Sequence, residues 1–354
     1  MIYELFYYKI KCYIISQLLN PLNEMHYPDI LQKYMNILLI ETNSKIIKSI
    51  ISSLCVIFTN CSDYHILPYL YPIIDMFHHV FDRVIPTNKI LLLDMISIII
   101  EIIGYHEVLC NQQVTSLYIP HIMKYFDTIT IQEDYLLIPM MECFITLFVH
   151  IKEQSQEYIA YVYMRCYSII YENFVKNENI DVIIYSIDVI TSIIEGYENS
   201  CQYILTNIDD LLTLLFTLLQ SPHSDIRQSS FSLIGELLKH YPNLYSNHRV
   251  IYISKLIDII MNNLSYDDYP MVYNNAIWVL GLLCQRIIPP SHIMEYLTKL
   301  NYMKLIQYFI MTFQYEHVSD TLLENIAITI GILAIHTKDW MIPVIDDFFS
   351  DWCR

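Results

Sequence analysis

Glycine is scarce: five occur in 354 residues, where average usage near 7% would give roughly 25. Folds that cradle phosphates or dinucleotides need glycines where the backbone turns tightly or approaches a ligand. With no GxGxxG and no GxxxxGKS/T in the sequence, nucleotide-binding α/β enzymes are disfavoured. Charge is also sparse, at 16% of residues, and basic charge more so: 20 Lys+Arg stand against 37 Asp+Glu, a formal net charge of −17. Nucleic-acid binding draws on Lys and Arg to neutralise phosphates, so this composition argues against it and favours a basic protein or peptide as partner. The nine cysteines are an odd number and form no CxxC pair, which argues against a secreted disulfide framework. Neither HExxH, GxSxG nor a Cys/His cluster with zinc spacing is found, although the 13 histidines include the pair His78 and His79. No metal, cofactor or enzymatic role is expected.

Long charge-free apolar runs are missing too. The sequence is 55% hydrophobic, but its densest run, residues 90–104, contains Asp94 and Glu101. A membrane-spanning helix needs about 20 predominantly apolar residues, so none is expected. The start, MIYELFYYKIKC, has neither a basic n-region nor a small-residue cleavage site. Cytosol and nucleus are the expected locations.

What the sequence has in abundance is helical periodicity. Nearly every segment of 12 to 20 residues places apolar side chains 3.6 residues apart, and few alternate. Breakers fall between these segments: Pro21 after Asn20, Pro28, Pro68, Pro86, residues 221–225, Asn243, Pro270, and Pro289 with Pro290. An all-α protein follows. Several helices carry a small residue at mid-length: Ser52, Ser97, Thr146, Ser192, Gly235, Gly281 and Gly331, spaced by 45, 49, 46, 43, 46 and 50 residues. That spacing matches HEAT or armadillo units. A second apolar helix lies between the marked ones, such as YISKLIDIIMNNL and MKLIQYFIMTF. The expected fold is therefore an α-solenoid of about seven helical hairpins, superhelical, running as a single domain over residues 1–354. The small residues would let neighbouring helices approach closely.

In residues 90–104 the polar or small positions are Asp94, Ser97, Glu101 and Gly104, steps of 3, 4 and 3 on one helix face. Asp188, Ser192 and Glu195 repeat the pattern; Glu142 precedes Thr146 by four and Glu236 follows Gly235 by one. Stacked repeats bring equivalent positions side by side, so these carboxylates would form an acidic track. A solvated helix face needs some charge in any case, and 37 acids make coincidences; both readings stand on periodicity alone. Lys and Arg are absent from the strip positions, whereas ordinary soluble faces mix signs. Trp278 precedes Gly281 by three, as Asp94 precedes Ser97, and Ile328 precedes Gly331 by the same offset. In that register the two form an exposed apolar pair beside the acids; a helical Trp more often belongs to a core.

The segments DIRQSSFSLIGELLKHY, MVYNNAIWVLGLLC, TLLENIAITIGILA and DDFFSDWCR resemble the transportins, the karyopherin-β2 nuclear import receptors of the importin-β superfamily. More divergent stretches agree in order and spacing: LPYLYPIIDMF, LLIPMMECFITLF, YMRCYSII and SIDVITSIIEG. The resemblance is to the C-terminal half of the family's solenoid, short of its last repeats. It implies binding of basic and hydrophobic nuclear localisation signals of cargo on an acidic concave face. The family's acidic contacts fall on Asp94, Glu101, Glu142, Asp188, Glu195 and Glu236, and two apolar contacts on Trp278 and Ile328. Asn275 and Asn325 match motif asparagines of less defined role. The sequence departs from the family at residues 58–61, where Phe-Thr-Asn-Cys replaces an acidic cluster, and at Pro270, where an apolar contact would fall. The resemblance brings nucleoporins into view as partners. It brings the Ran GTPase too, although the N-terminal repeats that engage Ran and the acidic loop that couples it to cargo release have no counterpart in this sequence. The alternative within binding proteins is a general HEAT scaffold with no transport role.

Overall fold

The computed structural model describes residues 27–342, apart from 61–62, 82, 106–119, 121–122, 124–134, 152, 198–201, 242–249, 265–268, 288–295, 314 and 316. The described residues are helical and contain no strand, so the periodicity prevails over the strand propensity of a chain with 31 tyrosines. None of the described helices is long and apolar enough to cross a membrane. The chain divides into two compact units, Met1–Arg165 and Cys166–Arg354.

In the first unit the helices are α1 (Tyr27–Ile40), α2 (Ser44–Asn60), α3 (Asp63–Phe81), α4 (Pro86–Tyr105) and α5 (Leu137–His150). Helix α6 (Ile159–Lys176) carries the chain across the division. The second unit continues with α7 (Ile180–Gly196), α8 (Ile208–Leu218), α9 (Ser224–His240), α10 (Val250–Asn262), α11 (Pro270–Leu282), α12 (Lys299–Thr312) and α13 (Asp320–His336). Pro86 and Pro270 open their helices, where the missing N–H has no partner to lose. Pro68 does not break the chain as expected: α3 runs through both Pro68 and Pro72. The apolar face formed by the buried Ile66, Leu70, Ile73, Ile74 and Phe77 offsets an interior proline's cost of about 3 kcal/mol. The turn between α6 and α7 uses left-handed backbone at Asn177 and Asn179, a conformation that asparagine tolerates better than most residues.

Two rows of helices form in the first unit: α1 packs on α3, while α2, α4 and α5 pack in succession. In the second unit α7, α9, α11 and α13 pack in succession, with α8 against α9 and α10 against α11. Second helices of successive hairpins thus stack on one another, the architecture of an all-α HEAT solenoid. All seven small residues read from the sequence, Ser52 through Gly331, lie on these second helices.

The repeat spacing reappears in hydrogen bonds that bridge one hairpin to the next. In the first unit Arg83 donates to the Leu39 carbonyl, 44 residues away, and closes the C-terminal end of α1. Buried Asn88 donates to the Ser44 carbonyl, also 44 residues away, at 3.0 Å. In the second unit Tyr241 donates to the Tyr197 carbonyl at 2.8 Å, and Arg286 to the Lys239 carbonyl across 47 residues. The Leu39, Tyr197 and Lys239 carbonyls lie at helix C-terminal ends, where carbonyls lack an intrahelical partner, whereas Asn88 reaches the first residue of α2.

Candidate functional site

Close approach of second helices rests on small residues at defined places. A Cβ added at Gly235 would lie 1.9 Å from Cζ3 of Trp278, so the indole of α11 lies directly on the α9 backbone. At Gly281 an added Cβ would lie 2.8 Å from Thr329 Oγ1 on α13. At Gly331 nothing stands within 4 Å. On the first unit Ser97 Oγ lies 3.1 Å from Cys143 Sγ, tying α4 to α5. Trp278 is therefore half-buried as a packing residue as well as a surface one, whereas Ile328 is 48% exposed. The seat at Gly235 is filled by Trp278, and the seat at Gly281 by Thr329 rather than Ile328, the register equivalent of Trp278.

In the first unit the half-buried Asp94 and Glu142 come from adjacent second helices, and Glu101 is exposed farther along α4. Burial, and after it the Glu142 carboxylate, push the Asp94 pKa above its ordinary 3.8. The Asp94 charge also helps raise the thiol of Cys55 on α2, to about 11, after the larger effect of burial. These side chains thus share one electrostatic environment across α2, α4 and α5. A carboxyl whose folded pKa exceeds its unfolded value contributes stability below the unfolded value, and that contribution is lost as pH rises through the folded pKa. Asp94→Asn is neutral throughout and is expected to raise the melting temperature at pH 7 by about 1–2 °C, a small figure because solvent screens a half-exposed carboxylate. Thermal melts at pH 7 and at pH 4 check this: the variant's advantage should be larger at pH 7.

In the second unit Asp188 on α7 hydrogen-bonds Ser229 on α9; burial raises its pKa, and that bond partly offsets the rise. Glu195 is exposed in the last turn of α7. No lysine or arginine among the described residues pairs with Asp94, Glu142, Asp188 or Glu195.

Glu236 differs. It is 9% exposed, and Lys239 Nζ donates to both its oxygens, at 3.2 and 3.0 Å. His240 Nε2 also lies 3.1 Å from Oε2, without hydrogen-bond geometry. Sequence reasoning passed over these partners, although Glu236, Lys239 and His240 stand at i, i+3 and i+4, the spacing of neighbours on a helix surface.

The asparagines form a polar chain across α9, α11 and α13. Asn275 Nδ2 donates to the Gln228 carbonyl at 3.1 Å, Asn274 Nδ2 to Asn275 Oδ1 at 3.3 Å, and Asn325 Nδ2 to Asn274 Oδ1 at 3.2 Å. A carbonyl can only accept, so Gln228 sets the sense of the whole chain. Asn275 joins helices, and Asn274, which the sequence reading did not single out, links it to Asn325.

The described residues hold no group of three His, Cys, Asp or Glu placed to bind a metal ion. Burial pushes the thiols of Cys143 and Cys284 up to about 12, so both are thiols at neutral pH and serve packing.

Comparison with known proteins adds a family. The HEAT repeat model matches residues 211–241, most of α8 together with α9. The chain is 26% identical to transportin of Dictyostelium discoideum over 306 residues, 82% of this chain and 31% of that protein. It is 23% identical to human transportin-1 over 300 residues, 81% of this chain and 32% of that protein. It therefore spans about a third of the length of these relatives. Among solved structures, Kap121p bound to Pho4p has a TM-score of 0.50 at 12% identity, covering 92% of this chain and 31% of that one, a likeness of fold. Over four fifths of its length, and in its stacked hairpins, this chain is thus similar to the transportins.

Proposed function

We propose that this chain is a cargo-binding HEAT-repeat solenoid of the nuclear import type, a binding protein and not an enzyme. It takes disordered segments that are basic in one part and apolar in another. The observation that carries the reading is the set of four second-helix carboxylates, Asp94 and Glu142 in one unit and Asp188 and Glu195 in the other, with no cationic partner among the described residues. Such an arrangement is locally unfavourable. Asp94 and Glu142 repel each other, and Glu195 sits at the negative end of the α7 dipole. A cationic ligand removes both penalties. Trp278 and the exposed Ile328 supply the apolar part of the second unit's surface, with Asn325 on the same helix as Ile328; in the first unit the exposed Glu101 adds to the acidic part.

Relatives named transportin, and a fold neighbour whose structure holds Pho4p, support a transport role. On this reading the protein works in cytoplasm and nucleus. Its partners are nuclear localisation signals, with nucleoporins and Ran as the further partners of a longer receptor, and residues 1–354 form one solenoid.

Exposed ion pairs contribute about 0–1 kcal/mol each, so affinity comes from several acting together and falls with salt. A fluorescent lysine- and arginine-rich peptide carrying one apolar cluster should bind at 50 mM salt and weaken about tenfold or more at 300 mM. Trp278→Ala should weaken it further, whereas an acidic peptide of equal length should not bind. A Kd unchanged by both salt and Trp278→Ala overturns the reading.

A further inference from the structure

We propose that Lys239 is a resident competitor: its ammonium occupies the position at Glu236 that a cation of the ligand would take, and so keeps this carboxylate out of cargo binding. The inference rests on the function proposed above. The resemblance places Glu236 among the acidic contacts, but its carboxylate differs from the other five in two respects. It is the most buried, and among the described residues it alone is neutralised from its own helix, by the bidentate Lys239 with His240 alongside. An incoming ammonium or guanidinium must first displace Lys239 Nζ. Because Lys239 is on the same helix, its effective concentration at Glu236 is far above that of any ligand group. The lysine side chain is 41% exposed, so it can leave for solvent without disturbing a core. Arg286 holds the main-chain carbonyl of Lys239, which a side-chain substitution leaves intact.

Lys239→Ala therefore removes the ammonium from Glu236 and leaves only His240 Nε2 beside it, at the residue that follows the Trp278 seat on Gly235. Such a variant should bind the basic peptide roughly two- to fivefold more tightly at 50 mM salt. Lys239→Gln, which keeps a polar stem, should tighten binding in the same direction. Glu236→Gln alone leaves the Lys239 ammonium unpaired and should weaken binding about two- to fivefold, and added to Lys239→Ala it should cancel that variant's gain. A peptide whose lysines are acetylated should show no gain with either Lys239 variant. Unchanged or weaker binding by both Lys239 variants overturns the proposal, as does a gain that survives Glu236→Gln. Asp188→Lys in the same assay separates the two levels: if it weakens binding while the Lys239 variants do nothing, the competitor fails and the cargo-binding reading stands. If Asp188→Lys has no effect, the cargo-binding reading itself fails.

Discussion

Replacing Asp188 and Glu195 together by lysine is expected to weaken binding of a basic peptide by about 10- to 100-fold at low salt. Each substitution removes an attraction worth up to about 1 kcal/mol and installs a repulsion of similar size. Both residues are on α7, half-buried and exposed respectively, and among the described residues neither has a cationic partner to be stranded. The fold should tolerate the exchange. A lysine at 195 interacts favourably with the C-terminal end of the α7 dipole, and a lysine at 188 forfeits the bond to Ser229 and meets the burial that already disfavours the Asp188 charge, a cost its long stem relieves by reaching water. Circular dichroism melts within a few degrees of wild type would establish that lost binding is not lost structure. The loss should shrink as salt rises towards 0.5 M, where the Debye length is short. Unchanged affinity at 50 mM salt would point to a scaffold whose partner docks elsewhere.

Alanine at three glycines should give three different results, although the substitution is the same. At Gly235 the new methyl would overlap the Trp278 ring, at distances of 1.9 and 2.5 Å, so the indole must leave its seat. Overpacking of this kind costs about 1–3 kcal/mol or more, and the apolar cargo surface is displaced with it. At Gly281 the methyl would press on Thr329 Oγ1 at 2.8 Å. There the gain in helix propensity, about 1 kcal/mol, and the steric cost largely cancel. At Gly331 nothing stands in the way, and the propensity gain should appear in full. Urea unfolding of the three variants should therefore rank Gly331→Ala above wild type and Gly235→Ala well below it. Equal effects at Gly235 and Gly331 would contradict the close packing described for α9 and α11.

This contrast also marks what the sequence could convey. A run of small residues about 45 apart identified every second helix, because a repeat that must pack on copies of itself needs its narrow points at constant intervals. It could not say which side chain fills each narrow point. Trp278 seats on Gly235, yet Thr329 and not Ile328 seats on Gly281, a shift of one position that depends on how the helices are rotated. Pro68 misled for a related reason: a local penalty of a few kcal/mol was outweighed by an apolar face that only tertiary packing completes. For the acids, periodicity placed them on the second helices, and the spacing of Glu236, Lys239 and His240 already held the ion pair that sets Glu236 apart. The asparagines offered no such signal. The role of Asn275 follows from a main-chain carbonyl on another hairpin, which no local pattern encodes.

Trp278 has one further consequence. The sequence has three tryptophans, and this one lies over bare peptide backbone at Gly235, one residue from Glu236 in the facing helix. Its indole is half-covered, so its emission reports local polarity and contact, and a ligand that covers it should shift the spectrum to the blue. The packing of one ring on one glycine thus gives the second unit an intrinsic optical probe, which can follow occupancy in real time without a label on either partner.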